Sequence, residues 1–170
     1  MAHQLVVTSA IGITLFIVAY LFCYLPRRGK TFAFDVSGQY GAFEQHAKRY
    51  QELAKLILTL STASIAFLVN FLVNLSPDAN KRGIYSFRLE NASPGVIGFL
   101  SLSSISMLLF LLFENVFYED YVHSKYTRDP SRSRETYTAG RYAMNLTFGW
   151  TGLFYFFLAY AFLAYKLFRG

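Results

Sequence analysis

The chain carries little charge: 15% of its 170 residues are Asp, Glu, Lys or Arg. That charge gathers in three intervals with long uncharged stretches between them, whereas a soluble domain interrupts its apolar face with charge every few residues. Cysteine is nearly absent as well. The single Cys23 excludes an intramolecular disulfide and a cysteine-built metal site. The three histidines, His3, His46 and His123, stand in different connections or termini, and none has a metal-suggesting partner three or four residues further on. Glu119 and His123 would share one helical face, a spacing that reads as an ordinary surface pair. No Gly-rich phosphate loop, G-x-S-x-G elbow or H-E-x-x-H run occurs, and the serines of "SLSSIS" have no base nearby. An enzyme is therefore not expected, nor a cofactor or metal. There is no internal repeat, low-complexity tract or extramembrane domain. Without a separate basic domain, direct contact with nucleic acid is not expected.

What the chain has instead is apolar length. Hydrophobic residues make up 54% of it and aromatics 19%. Spans of roughly 20 apolar residues match a hydrocarbon core of about 30 Å, and four such stretches occur, at about 5–25, 53–75, 94–118 and 142–165. The expected fold class is all-α: a polytopic bundle of four transmembrane helices forming one membrane domain over 1–170. The first stretch reads as a retained helix, since "MAHQ" lacks Lys or Arg and no small-x-small cleavage site precedes "YLPRRGK".

The basic residues divide unevenly between the two sides. Arg27, Arg28, Lys30, Lys48, Arg49 and Lys55 lie in or beside the connection 26–52, and Lys125, Arg128, Arg132, Arg134 and Arg141 in or beside 119–141. Only Lys81, Arg82, Arg88, Lys166 and Arg169 fall on the other side. Positive-inside asymmetry puts both basic connections in the cytoplasm, and the 76–93 connection and both termini outside.

The cytoplasmic connections read as helical extensions of the bundle. "PRRGKTFAFDVSGQYG" looks irregular, but Phe43, Ala47, Tyr50 and Ala54 then recur on one apolar face, so helix two is expected to begin near Ala42. "FENVFYEDYVHSKY" continues helix three. Asp129 as N-cap with Pro130 behind it predicts that helix four starts near Pro130. Together these form a collar whose basic residues are Arg27, Arg28, Lys48, Arg49, Arg132 and Arg134. Outside, "IYSFRL" alternates enough to allow a brief strand.

The second span mixes lipid-like and polar residues. At about 100° per residue, Lys55, Thr59, Thr62, Ala66, Asn70 and Asn74 fall in a wedge about 120° wide that runs roughly 28 Å along the helix, while Ser61 and Ser64 fall off it and Leu56, Ala63 and Val73 interrupt it. Asn amides against lipid are costly, so the wedge is expected to face protein or water. Three answers stand open: bonds to other helices of the same chain, a contact between copies, or a water-filled path at the axis of an oligomer. Partners within the chain would be Ser101, Ser103, Ser104 and Ser106 of the third span and Asn145, Gly149 and Gly152 of the fourth, with Thr8 and Gly12 a small-x-x-x-small pair in the first. Glu114 is ionisable within the third span, a functional marker by default. It is expected either to pair with Lys55 or to line a path that favours cations.

A basic-flanked helix running into "YQELAKLILTLSTASIAFLVNFLV", in a chain that is nearly all membrane, resembles the small bacterial four-span proteins of antiphage defence systems. The resemblance implies a membrane effector or the anchor of a cytosolic sensor, and a soluble cytosolic partner. The expected function is a homo-oligomeric effector, embedded in membrane lipid, that forms a pore or perturbs the membrane on a cytoplasmic signal. The alternative is a non-conducting scaffold that docks a soluble partner through its basic collar.

Overall fold

The computed structural model describes the backbone of residues 2–29, 31–33, 43–74, 84–126 and 136–169, and the side chains of 6–29, 48–74, 89–90, 92–116 and 139–168. Four helices make up nearly all of it: α1 (Ala2–Tyr24), α2 (Phe43–Val73), α3 (Ile84–Tyr126) and α4 (Ala139–Arg169). Each contains a stretch long and apolar enough to cross a bilayer, at Val6–Arg27, Lys48–Val73, Ala92–Val116 and Ala139–Phe168. A helix answers all its own backbone N–H and C=O groups, the requirement lipid imposes on a single spanning segment. The chain is an all-α, multi-pass membrane protein.

The bundle is built on α3 and α4, which make the most extensive contact. α2 packs on one side of that pair, mainly against α3, and α1 on the other, against both. The burial follows: 44% of the third span and 28% of the fourth lie inside the protein, against 11% of the first and 17% of the second. α1 and α2 are flanking helices with most of their surface outward.

Two apolar clusters fill the contacts. Leu68 of α2, Val96, Phe99 and Leu100 of α3, and Tyr155 and Ala159 of α4 form one. Ala54 and Ile57 of α2 with Met107 and Phe110 of α3 form the other. Glycine permits the close approaches. A Cβ on Gly152 would lie 2.9 Å from Met107 Cε and 3.1 Å from its Cγ, and one on Gly12 would run into Leu102. On the far side of α4, Phe148 packs against Phe16 of α1 and Phe113 of α3, with ring centroids 5.1 and 5.5 Å away.

α1 ends in a short 3₁₀ turn, Leu25–Arg27, with Pro26 inside it. Arg27 folds back so that its Nη1 donates to the Cys23 carbonyl at 2.8 Å, answering one of the carbonyls a helix end leaves open. The same guanidinium lies 5.6 Å from the centre of the Tyr142 ring, linking the end of α1 to the start of α4.

Three boundaries differ from the sequence reading. α4 begins at Ala139, not near Pro130, because Thr136–Thr138 is extended as a strand, β2, antiparallel to Thr31–Ala33, β1, with Phe32 opposite Tyr137. Asp129 and Pro130 lie outside the described residues. Threonine, tyrosine and phenylalanine favour the extended backbone, and the pairing across two distant connections holds Thr136–Thr138 out of the helix that follows. The connection read as irregular therefore contributes a strand. On the other side, "IYSFRL" is the first part of α3. α3 continues through Pro94, whose missing N–H and ring disturb one turn, and beside it Ser93 Oγ donates to the Leu89 carbonyl at 2.6 Å. The expected start of helix two near Ala42 agrees with the observed Phe43.

Gly152→Val should cost about 1–3 kcal/mol by overpacking against Met107, seen as a lower unfolding midpoint in detergent. Gly140→Ala, whose Cβ would find its nearest neighbour at 3.8 Å, should change it little.

Candidate functional site

The polar residues of α2 divide between two opposite faces. Ala54, Ile57, Ser61 and Leu68 are buried and define the face that meets α3 and α4. At about 100° per residue, this face lies diametrically opposite the wedge of Lys55, Thr59, Thr62, Ala66, Asn70 and Asn74. All six wedge residues are exposed. Among the described residues, the stripe therefore makes no bond to the other helices of its own chain. Of the three answers the sequence left open, the intramolecular one is not what the bundle does.

The serines that fell off the wedge hold α2 in place. Ser61 Oγ donates to Ser103 Oγ at 3.4 Å, and Ser103 Oγ donates to the Gly152 carbonyl at 2.7 Å. All three residues are buried, so α2, α3 and α4 are tied at one level between the two apolar clusters. Ser64 Oγ and the Tyr160 hydroxyl, 2.6 Å apart, add a second α2–α4 tie nearer the surface. On the other side of the bundle the buried Tyr155 hydroxyl donates to the Gly12 carbonyl at 2.6 Å, fixing α1. Thr147 and Thr151, also buried, donate to the carbonyls of Ala143 and Thr147 within α4.

Glu114 is answered by α4. Asn145 Nδ2 donates to Glu114 Oε1 at 2.6 Å. Lys55 stands on the outer face of α2, so the expected Lys55–Glu114 pair gives way to an acid–amide contact between α3 and α4. Asn145 Oδ1 and Ser104 Oγ are buried with no partner among the described residues. Gly149, also expected between helices, faces Phe110, to which a Cβ would come within 3.2 Å. Ser101 is half-buried on α3. Among the described residues no three His, Cys, Asp or Glu side chains come together as metal ligands.

The outer stripe is partly self-sufficient. Thr59 Oγ1 donates to the Lys55 carbonyl at 2.8 Å and Thr62 Oγ1 to the Leu58 carbonyl at 2.9 Å. Each hydroxyl thereby spends its one donor within the helix. Asn74 Nδ2 donates both to the Asn70 carbonyl and to Asn70 Oδ1, each at 2.8 Å. Of the basic collar, Arg28, Lys48 and Arg49 are exposed, Arg27 is partly buried under its two contacts, and Arg132 and Arg134 lie outside the described residues.

Sequence reasoning missed Tyr155, Thr147 and Thr151 as interior polar groups. Tyr155, in "LFYFFLAY", looks like any other interfacial aromatic, and a threonine bonded to its own helix gives no outward sign. Comparison with protein-family models, characterised proteins and solved structures finds no match.

Asn145→Leu leaves the Glu114 carboxyl unanswered in the α3–α4 interface and should destabilise the bundle by about 1–3 kcal/mol. Glu114→Met combined with Asn145→Leu removes both polar groups and should lie closer to wild type than Asn145→Leu alone. Denaturant titration in micelles, followed by circular dichroism, checks the order.

Proposed function

We propose that this protein is a homo-oligomeric membrane effector that lets water and small ions across the bilayer, with copies arranged so that the outer faces of α2 surround a polar path. The observation that carries this reading is the position of the stripe: Lys55, Thr59, Thr62, Asn70 and Asn74 are exposed on the face of α2 turned away from its own bundle. Roughly 28 Å separates the ends of that stripe, close to the thickness of the hydrocarbon core. A polar face of that length is stable in a membrane when a second protein surface or water meets it. The resemblance to four-span antiphage proteins supplies the setting, a bacterial inner membrane in which the effector acts on a cytoplasmic signal. The basic connections 26–52 and 119–141 would lie in the cytoplasm with both termini outside.

A second reading, the non-conducting scaffold, draws on the pairing of β1 with β2, which joins the two basic connections into one platform. Arg28, Lys48 and Arg49 are exposed there for a soluble acidic partner. Reversing Lys48 and Arg49 to Glu separates the readings: it should abolish co-purification of a partner on the scaffold reading and leave ion flux intact on the effector reading.

Purified protein in liposomes should release a small entrapped dye or dissipate a potassium gradient, and Asn70→Leu should lower that rate about tenfold or more, since an apolar ring at a constriction excludes water. In a Cys23→Ser background, Thr62→Cys should react with a membrane-impermeant thiol reagent. No flux in liposomes, together with no reaction at position 62, would count decisively against conduction.

A further inference from the structure

The hydrogen-bond inventory of Asn70 and Asn74 points to their own partner. An asparagine side chain has two N–H donors and one carbonyl oxygen with two lone pairs. Asn74 Nδ2 spends both donors on Asn70, one on its carbonyl and one on its Oδ1. Unspent among the described residues are the two donors of Asn70 Nδ2 and the carbonyl oxygen Asn74 Oδ1, one turn apart on an exposed face. If Lys55 marks one boundary of a core about 30 Å thick, Asn70 stands roughly 22 Å away along the helix and so roughly 7 Å inside the other. At that depth an unanswered amide is costly.

We infer that the outer face of α2 around Asn70 and Asn74 is a self-recognition surface whose occupant is the same face of a second copy of this chain, with Asn70 Nδ2 of one copy donating to Asn74 Oδ1 of the next. This rests on the oligomeric reading above and deepens it by naming the contact. The surface offers one kind of donor and one kind of acceptor, so it complements itself. A lipid phosphate would accept from Asn70 Nδ2 but has no donor for Asn74 Oδ1, which only water or a headgroup hydroxyl or ammonium could supply in place of a second copy. Copies inserted in the same orientation are related by an axis along the membrane normal, so their α2 helices run parallel, and Asn74 of one copy lies about 6 Å in depth from Asn70 of the next, an offset that the two side chains already bridge within one copy. Ala63 and Ala66 are exposed on the same side of α2, small residues that let neighbouring helices approach on the side of the amides. Lys55 sits at the far boundary, where its stem lets the ammonium reach the headgroups, so like charges need not meet in the contact.

The test is disulfide cross-linking of the full chain in native membranes in a Cys23→Ser background. Ala66→Cys, which leaves both amides in place, should give a covalent dimer of the chain on oxidation. Phe157→Cys, on the exposed face of α4 at 61% accessibility, should not. Adding Asn70→Leu to Ala66→Cys should cut the dimer yield about fivefold. Adding Ala63→Leu instead, which blocks close approach without touching an amide, should lower it as well. The inference is overturned if Ala66→Cys cross-links no better than Phe157→Cys, if it captures only a different protein, or if Asn70→Leu leaves the yield unchanged because headgroups answer the amides. The two readings fail separately. Cross-linking without flux in liposomes keeps the surface and removes conduction, whereas flux without cross-linking removes the surface.

Discussion

The packing of this protein turns on a constraint that lipid imposes and water does not: a polar side chain at bilayer depth has to find its partner in protein. Between apolar helices the acyl chains are as good a solvent as leucine, so burial alone gives α2 little reason to sit in one register against α3 and α4. The Ser61–Ser103–Gly152 chain of hydrogen bonds supplies that reason. Ser103 is its centre, accepting from α2 and donating to α4. The Gly152 carbonyl can be reached because no side chain stands in front of it, and Met107 fills the space that the absent Cβ leaves. One level of polar contact between two apolar clusters thus fixes both rotation and height. The shorter Ser64–Tyr160 contact holds α2 against α4 at a second level.

The same constraint explains why α1 and α2 behave as flanks. Each is held through a few polar ties, Tyr155 to the Gly12 carbonyl on one side and the serine pair on the other. α3 and α4 share the larger apolar contact and the Glu114–Asn145 bond. An acid in an amide's grip between the two central helices needs no charge partner from α2. That frees Lys55 to remain on the outer face.

Much of the architecture is legible in the sequence because it depends on local quantities. Uncharged length defines four spans, and the apolar spacing of Phe43, Ala47, Tyr50 and Ala54 places the start of α2 within one residue. What escapes local reading is whatever a distant segment decides. Thr136–Thr138 would pass for the lead-in to a helix until Thr31–Ala33 is there to pair with it. "IYSFRL" alternates over too few residues for its period to separate strand from helix. The direction of the α2 stripe escapes for a subtler reason. Thr59, Thr62, Ser61 and Ser64 carry the same functional group, so periodicity sorts them into faces without saying which is inner. That choice is made by Ser103 and Tyr160, which belong to other helices.

The two ends of the outer stripe make unequal demands. Thr59 and Thr62 have turned their hydroxyl hydrogens back onto the carbonyls of Lys55 and Leu58, so each can face lipid at modest cost. Their oxygens still carry lone pairs directed outward. Asparagine cannot withdraw so completely: two donors and a carbonyl exceed what one turn of helix can absorb, even with its neighbour's help. On the proposed oligomeric reading, the amide end is therefore where copies associate, and the threonine section is where the path admits water. A path bounded by this section would meet the hydroxyl oxygens of Thr59 and Thr62, about 4–5 Å apart along the helix, and a single ammonium, Lys55, at one boundary. Acceptor oxygens replace part of a cation's hydration shell and offer nothing comparable to an anion. The proposed path should therefore discriminate by sign along the threonine section, with Lys55 setting an entry barrier for cations that rises as ionic strength falls.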